Sequence, residues 1–469
     1  METLTATPAT SEPPLQATEA TAPYLADFEA FERELAAMAE TTGTAEPAGL
    51  QLLRRQAISA FARLGFPTLR QEEWRATNVA PIVRTSFTRV PGDTEPADVP
   101  AEALEPLVFD AAVRLVFVDG RFAPRLSMTD DATELPAGAF IGSLAEALLR
   151  VPQLVEPHLA QHARFDNHPF VALNTAFLRD GAFVYLPRGA VLEKPVHLLF
   201  MASGTETAAT VSYPRNLIVA GENSQIKLVE TYAGLGTYLT CAVTELVVGP
   251  GAVVDHYKVQ RESVDAFHMA TFQIEAQRAC APSSHSISIG GGIVRNDVNA
   301  LLDGEGIDCI LNGLYLAEGR QLVDNHMRVE HAKPHCSSHE LYKGILDGKA
   351  RAVFNGLIHV RHGAQKTDAK QSNRNLLLSS DAIANSNPQL EIFADDVKCT
   401  HGSTVGQLDE DAVFYLRSRG IGKEAARSLL TYAFASDIVE RIKVEPVRRD
   451  LEEFLFTRLP QGGVVRQAV

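Results

Sequence analysis

Cysteine is scarce in this chain, and the few cysteines are not paired. The 469 residues include five cysteines, and no two of them stand in a CxxC arrangement. They are Cys241, Cys280, Cys309, Cys336 and Cys399. This odd, dispersed set argues against a disulfide framework and against a zinc ribbon, because both need closely spaced cysteines. It favours free thiols in a reducing compartment, and we therefore expect a cytoplasmic protein.

Long apolar runs and an excess of basic residues are also missing. No stretch reaches eighteen consecutive apolar residues, so we expect no membrane span. The formal net charge of −15 argues against a nucleic-acid-binding protein, which usually presents a basic face. Residues 1–22 lack the basic start and the apolar run of a signal peptide. Their Thr, Ala and Pro content predicts a disordered leader.

The motifs of common catalytic sites are absent as well. The sequence has no Walker A motif, no GxGxxG, no HExxH and no GxSxG. Each of these motifs marks one kind of site, and each depends on a fixed spacing of its residues. The segment Gly420-Ile421-Gly422-Lys423 resembles a Walker A motif, but it lacks the four-residue spacer and the Ser or Thr after the lysine. We therefore expect a chain that catalyses no reaction of its own.

Residues 23–160 have the pattern of a mostly helical domain. Apolar residues recur at steps of three and four, which is typical of one helix face. They are Leu25, Phe28, Phe31, Leu35 and Met38. A strand-like break, VRLVFVDGRFA, interrupts this domain, and Asp119-Gly120 within it predicts a tight turn.

Residues 161–408 consist of short alternating runs separated by Gly, Asn and Asp. Gly304 and Gly319 are 15 residues apart, and so are Gly348 and Gly363. Regular short strands are compatible with a sandwich, a propeller or a β-solenoid. A sandwich of this length would need two domains and a linker, and the sequence has no linker. We predict a right-handed parallel β-helix with about two turn signals in each coil, and no helix between Phe165 and Cys399.

Residues 409–469 return to a helical period. Asp409 is suited to cap a first helix that ends at Gly420, and Pro446 is suited to begin a third. The second helix carries an apolar stripe made of Leu429, Leu430, Ala433, Phe434, Ile438 and Ile442. The third carries Val447, Leu451, Phe454 and Leu455. Such stripes either pack on the core or form a docking surface for another protein.

One candidate metal site is Cys399-Thr400-His401. In an extended strand, residues two apart point to the same face, so the thiolate and the imidazole are both available to one soft metal ion. Iron–sulfur chemistry and zinc both use these ligands. Glu391 and Asp395 share the same parity. The alternative is that Cys399 packs as a small apolar residue and that His401 hydrogen-bonds a turn.

A second candidate is the histidine-rich segment HMRVEHAKPHCSSHE. It contains His326, His331, His335, Cys336 and His339. A four-residue histidine spacing would form a metal face on a helix, but Pro334 and the serines argue against a helix. The same parity would keep His331, His335 and His339 on one face of a strand. A stack of side chains along a β-solenoid explains the cluster equally well.

Longer segments resemble a known family. Residues Val323 to Leu430, which include PQLEIFADDVKCTHGSTVGQLDEDAVFYLRSRGI, resemble the SufB/SufD family of iron–sulfur cluster assembly proteins. The upstream segments LRQEEWRATN and PRNLIVAGENSQIKLVETY fit as well. Cys399-Thr400-His401-Gly402 stands where SufB-type chains tend to carry an EHEA-like sequence, so the resemblance is to the SufD side of the family.

The resemblance implies a scaffold subunit and its partners. Such a subunit joins a SufB-type subunit through the end of its β-helix and binds one SufC-type ATPase through its C-terminal helices. The complex builds nascent iron–sulfur clusters, and the resemblance implicates His401, preceded by Cys399, in a transient cluster site at the partner interface. ATP hydrolysis is then expected in the SufC-type partner.

Three alternatives remain open at this point. One is a SufB-type subunit of the same complex. Another, from a different class, is a polysaccharide-active enzyme on a β-helix, which would need an export signal and a groove of carboxylates. The third is a metalloprotein that uses the histidine-rich segment by itself.

Overall fold

The computed structural model describes residues 18–42, 47–91, 99–129, 135–204 and 208–468. Residues 1–17 of the predicted disordered leader lie outside the described residues. The helices are α1 Ala22–Thr42, α2 Ala48–Leu64, α3 Ala80–Arg84, α4 Ala101–Leu104, α5 Leu144–Arg150, α6 Pro152–Val155, α7 Pro169–Ala176, α8 Glu410–Ser418, α9 Lys423–Val439, α10 Glu445–Arg458 and α11 Gly462–Ala468. Short 3-10 helices lie at Glu72–Trp74, Glu105–Leu107 and Pro124–Leu126.

The strands occupy most of the middle of the chain. The early strands are β1 Phe87–Arg89, β2 Val113–Val118, β3 Arg121–Phe122, β4 Phe140–Ser143, β5 Ala182–Leu186, β6 Val196–Ala202 and β7 Ala209–Ser212. The later strands are β8 Arg215–Ala220, β9 Gln225–Gly234, β10 Tyr238–Val248, β11 Val253–Arg261, β12 Phe267–Ala276, β13 Ala281–Ser288, β14 Ile293–Leu302, β15 Asp308–Ala317, β16 Leu322–His331, β17 Ser337–Leu346, β18 Arg351–Val360, β19 Asp368–Leu377, β20 Ile383–Ile392 and β21 Lys398–Gly406.

These strands form two sheets that are wound together. The first sheet runs in the order β20-β18-β16-β14-β12-β10-β8-β5-β4, with β1 and β7 beside it. The second sheet runs in the order β21-β19-β17-β15-β13-β11-β9-β6-β2-β3. Consecutive long strands thus alternate between the sheets, and they pair in parallel with the strand one coil later. This is the parallel β-solenoid predicted from the sequence.

The register explains the glycine spacing. Leu322 of β16 pairs with Arg351 of β18, a step of 29 residues. Asp308 of β15 likewise pairs with Ser337 of β17, also a step of 29 residues. The 15-residue spacing between glycines is therefore about half a coil. Gly319 has a φ of 61°, a left-handed value that favours glycine at such a turn.

The N-terminal end of the solenoid is closed by antiparallel strands. Phe117 pairs with Phe122 across the predicted turn, and both turn residues, Asp119 and Gly120, have positive φ, as a tight hairpin turn requires. β4 pairs antiparallel with β5 and ends the other sheet. Strands from both sides of residue 160 share the two sheets. The domain boundary at that residue stays a prediction.

The expectation of no helix between Phe165 and Cys399 is wrong at α7. All eight residues of α7 are buried. A short helix that is buried on every side has no polar face, so it shows no amphipathic period in the sequence. α7 lies between α2 and the first sheet, where Phe170 and Phe177 pack in one cluster with Phe31 and Trp74.

The C-terminal helices pack on the outer face of the second sheet. Ile438 and Leu451 share an apolar cluster with Tyr257 and Ile287. Lys343 Nζ of β17 lies 2.7 Å from Asp437 Oδ2 of α9, so an ion pair links this helix to the solenoid. The stripe predicted for α10 is confirmed, because Val447, Leu451 and Leu455 are buried.

The predicted ends of these helices are close to those observed. The Asp409 side chain accepts hydrogen bonds from the backbone N–H groups of Asp411 and Ala412, and Gly420 has a φ of 89° just beyond α8. The stripe predicted for α9 is only partly correct, since Ile438 and Ile442 are buried but Ala433 is exposed. α9 contacts α8, α10, α11 and two strands, so its burial is spread around the helix.

No helix in the described part of the chain has the length and apolar character needed to cross a membrane.

Candidate functional site

At the C-terminal end of the solenoid, no strand of the described residues pairs with the last edge of either sheet. β20 is the last strand of the first sheet and β21 the last strand of the second. We call the surface formed by these two strands and the segment that joins them the open end. Four large apolar residues of the open end are between 39% and 49% exposed. They are Ile383, Ile392, Phe393 and Val405.

His401 lies on β21, in register with Gln371 of β19. Gln371 is buried and faces the interior of the solenoid, as do the residues two positions before and after it. His401 therefore projects on the inner side of β21, but it is exposed because no further coil covers it within the part of the chain that the structure describes. The structure thus presents the imidazole at the rim of the open end.

Cys399 occupies the same face of β21 in a less accessible position. It pairs with Ala369 and packs with an apolar cluster that includes Ile358 and Ala394. Burial raises the pKa of the Cys399 thiol above its ordinary value, so the neutral thiol is favoured. Both interpretations of this cysteine therefore have support, since it shares a face with His401 and also packs as an apolar residue.

Glu391 does not join these two residues. Its carboxylate bonds to His359 Nδ1 at 2.9 Å, on the outer face of the first sheet. Asp395 lies in the bend between β20 and β21 and is exposed. Within the described residues, no three His, Cys, Asp or Glu side chains come together as a metal site.

The histidine-rich segment is divided among several elements. His326 lies 3.0 Å from Asp324 on the outer face of the first sheet. His331 is buried and shares a hydrogen bond of 2.9 Å with Ser338, and burial lowers its pKa to about 4. His335 has a φ of 60° in the turn that follows β16. The idea that the segment forms one strand face is wrong, because the chain turns there.

His339 and Cys336 are likewise separated. His339 is half-buried on β17, on the face opposite to its inward neighbours. Cys336 is fully buried, and its Sγ contacts the carbonyl oxygen of Gly304 at 3.0 Å. The segment therefore supplies side chains to both faces of the coil and to a turn, as stacking along a solenoid requires.

Sequence reasoning missed a charged cluster inside the solenoid. Glu230 lies 3.4 Å from His256, and Glu262 lies 2.8 Å from His268. Lys258 is buried beside them, and burial lowers its pKa to about 8. Polar residues at every second position in the latter half of β11, from His256 to Gln260, were the available signal. That signal can be interpreted only once the inward phase of each strand is known.

Comparison with known proteins bears on both the fold and the open end. Residues 200–434 match the model described as the SUF system FeS cluster assembly, SufBD core domain. Residues 29–198 match the SufBD protein N-terminal region. The chain belongs to the SufB/SufD family. His401 and the whole open end fall within the core-domain match.

Individual relatives cover nearly the whole chain. An iron–sulfur cluster assembly SufBD family protein of Synechocystis is 34% identical over 91% of this chain and 96% of its own length. The iron–sulfur cluster assembly protein SufD of Escherichia coli is 32% identical over 87% of this chain and 93% of its own length. The SufD protein of Bacillus subtilis is 27% identical over the same shares of the two chains.

These relatives make the chain a SufD-like protein of iron–sulfur cluster assembly. They give no better support to the SufB-type alternative or to a polysaccharide-active enzyme. SufD-family proteins are subunits of the scaffold type, and the family as a whole works in SUF complexes.

Proposed function

We propose that this chain pairs with a SufB-type subunit at the open end, and that a nascent iron–sulfur cluster is assembled where the two meet. The observation that carries this proposal is the pair of uncovered strand edges. An uncovered edge offers unpaired backbone N–H and C=O groups to another chain. The exposed apolar residues Ile392 and Val405 at the same place add a hydrophobic contribution to pairing.

His401 is the residue of this chain that we propose to act at the junction. Its exposed imidazole stands on the inner side of an uncovered strand, where a partner coil would stack directly on it. Neutral imidazole is a ligand for iron, as in clusters with histidine ligation. Cys399 is proposed as a weaker contributor, because its thiol is half-buried and its pKa is raised by burial. The cluster itself is cargo that the complex passes on.

The proposed complex obtains its ATPase activity from a SufC-type subunit that docks on the C-terminal helices. α8 supports this because Phe414 is 70% exposed and Tyr415 is 56% exposed, and aromatic residues are enriched in protein interfaces. The purified chain alone is expected to hydrolyse no ATP. The cytoplasm, which the five free cysteines favour, is the proposed location.

Replacement of His401 by Ala tests the proposal. The chain is reconstituted with its SufB-type and SufC-type partners, and acid-labile sulfide and iron per complex are measured. We expect His401→Ala to assemble normally and to lose roughly 10-fold or more in cluster loading, in line with the loss of a metal-site residue. Cys399→Ala should lose less. Thr400→Ala is the matched control, because Thr400 is exposed beside both residues on the opposite face.

Normal loading by the His401→Ala complex would show that this histidine is structural and that the cluster is built elsewhere. An equal loss in Thr400→Ala would show that any change in β21 disturbs assembly. Failure of the chain to pair with the SufB-type subunit would contradict the open-end interface itself.

A further inference from the structure

Three side chains stack in register on the inner side of the second sheet beneath the rim. Glu340 of β17 pairs with Gln371 of β19, and Gln371 pairs with His401 of β21. Neighbouring strands lie about 4.8 Å apart, and in-register side chains on one face are within contact distance. Gln371 therefore occupies the step directly below His401.

Gln371 is tied to the step beneath it. Its Nε2 donates a hydrogen bond of 2.8 Å to Glu340 Oε2, and both side chains are buried. Because the amide nitrogen faces the carboxylate, the amide oxygen is directed elsewhere. Gln371 Oε1 is buried and has no hydrogen-bond partner among the described residues. A buried carbonyl oxygen without a hydrogen-bond partner destabilises the fold, because the hydrogen bonds it makes with water in the unfolded chain are not replaced.

The opposite wall of the solenoid is shaped around this amide. Gly356 of β18 faces the interior, and a Cβ added there would lie 2.3 Å from Gln371 Nε2 and 2.7 Å from Gln371 Oε1. No larger residue fits at position 356 without displacing the amide. Glu340 therefore holds the Gln371 amide from below through a hydrogen bond. The lack of a side chain at Gly356 leaves the space that the amide occupies.

We propose that Gln371 is a positioning residue for His401: its Oε1 accepts the N–H of the imidazole once the partner subunit covers the open end. This inference rests on the proposed function of His401. A carbonyl oxygen that accepts one ring N–H fixes the tautomer and leaves the lone pair of the other nitrogen free for a ligand. Gln371 thereby directs the second nitrogen of His401 toward the junction. The unpaired oxygen of Gln371 gains its missing hydrogen bond at the same step.

The test uses the reconstituted complex and its acid-labile sulfide content. Gln371→Met keeps the length of the side chain but removes the acceptor, and we expect a roughly 10-fold loss of cluster loading, the usual scale for a residue that orients a metal ligand. The double variant Glu340→Gln with Gln371→Glu reverses the lower hydrogen bond and restores an acceptor below His401. We expect it to recover most of the loading, because an acceptor again lies below His401.

Two further variants separate positioning from general damage. Gly356→Ala does not change the residue at position 371 but displaces its amide. We expect this variant to lose loading as Gln371→Met does. Asn373→Leu removes a buried amide at the next inward position of β19, which is in register with Ser403 instead. This matched control should keep normal loading in any complex that assembles.

The outcomes distinguish the two proposals. If His401→Ala loses loading while Gln371→Met and Gly356→Ala load normally, the positioning role is wrong and the proposed function stands. If His401→Ala loads normally, both are wrong. If Gln371→Met does not fold, Gly356→Ala and the double variant decide: normal loading in the first or none in the second overturns the positioning role.

Discussion

Arg215 and Glu245 form an ion pair whose side chains are both 0% exposed. The guanidinium of Arg215 donates to Glu245 Oε2 at 2.7 Å and to Asn174 Oδ1 at 3.1 Å. The Glu245 carboxylate also accepts backbone N–H groups from Ala160 and His162. The pair therefore joins the loop before α7 to the first sheet. Its cost in desolvation is offset only while every one of these partners is present.

We expect Arg215→Met to destabilise the fold by about 3–5 kcal/mol, because it leaves a buried carboxylate without its counter-charge. The measurement is urea unfolding followed by the β-sheet circular-dichroism signal. Arg328→Met is the matched control, since Arg328 is 47% exposed in its pair with Glu330 and should change the free energy of unfolding by less than about 1 kcal/mol. Equal losses in the two variants would contradict this account.

Glu340 should make stability depend on pH. Burial raises its pKa from 4.5 to about 7. Between these values the folded chain keeps a proton that the unfolded chain has released, so the free energy of unfolding falls as the pH rises. We expect Glu340→Gln to remove this slope, leaving the variant more stable than the wild type above about pH 7, by up to about 3 kcal/mol. The measurement is urea unfolding at pH 5, 6, 7 and 8, and the control is Glu391→Gln at a half-exposed position. If the free energy of unfolding of the wild type and both variants changes with pH in parallel, the assignment to Glu340 is wrong.

At the residue scale, the sequence identified His401 and Cys399 but not what lies under them. Their spacing of two placed them on one strand face, and the register agrees. Gln371 is thirty residues away and Glu340 sixty-one, so nothing local connects them. Whether these side chains stack depends on the length of a coil. That length must be known to within one residue, because a one-residue slip turns each side chain to the other face.

At the element scale, α8 is the helix whose apolar surface is least explained by packing. Phe414 and Tyr415 are exposed while Val413 is buried. α9 and α10, in contrast, bury Ile438 and Leu451 against the second sheet. Removing all helices after Gly422 would therefore expose the sheet as well as any docking surface. Point variants on α8 are the cleaner test of ATPase docking.

We expect the double variant Phe414→Ala with Tyr415→Ala to weaken binding of the SufC-type ATPase by at least about 10-fold, because buried aromatic residues contribute much of the energy of interfaces. The thermal unfolding midpoint should not change, since both side chains are exposed in the free chain. Binding is measured by isothermal titration calorimetry. The control is Leu235→Ala, because Leu235 is 72% exposed and lies between β9 and β10, outside the C-terminal helices. Unchanged affinity in the α8 variant would place the docking surface elsewhere.

The elements that the sequence predicted well are those with local signals. The Asp119-Gly120 turn and the Asp409 cap depend on residues within a few positions of each other, and the glycines recur at a fixed spacing of 15 residues. α7 was missed because it is short and buried on every side. The stripe of α9 was misjudged because the helix packs on several neighbours at once. In both cases the missing information was tertiary.

At the scale of the whole molecule, the two ends of the solenoid differ. At the N-terminal end the antiparallel strands β3 and β4 finish the sheets, and helices pack nearby. At the C-terminal end no residue of β20 or β21 is fully buried, and β21 is exposed along most of its length. Since no strand in the described part of the chain covers this end, it presents a template for a further coil. The asymmetry supports the C-terminal end as the surface for the SufB-type partner that we propose.

Charge introduced at the open end should therefore block pairing without unfolding the chain. Ile392→Asp with Val405→Asp places two carboxylates where we propose that the partner stacks, and desolvating them on pairing is costly. We expect the double variant to stay monomeric in size-exclusion chromatography with the SufB-type subunit, yet to keep its circular-dichroism spectrum and its affinity for the ATPase. Leu235→Asp carries the same kind of change outside the open end and should pair normally. Cluster loading should fall in the double variant through loss of pairing, whereas in His401→Ala it should fall within an intact complex. A heterodimer that forms as readily with both aspartates present would mean that the subunits meet through another surface.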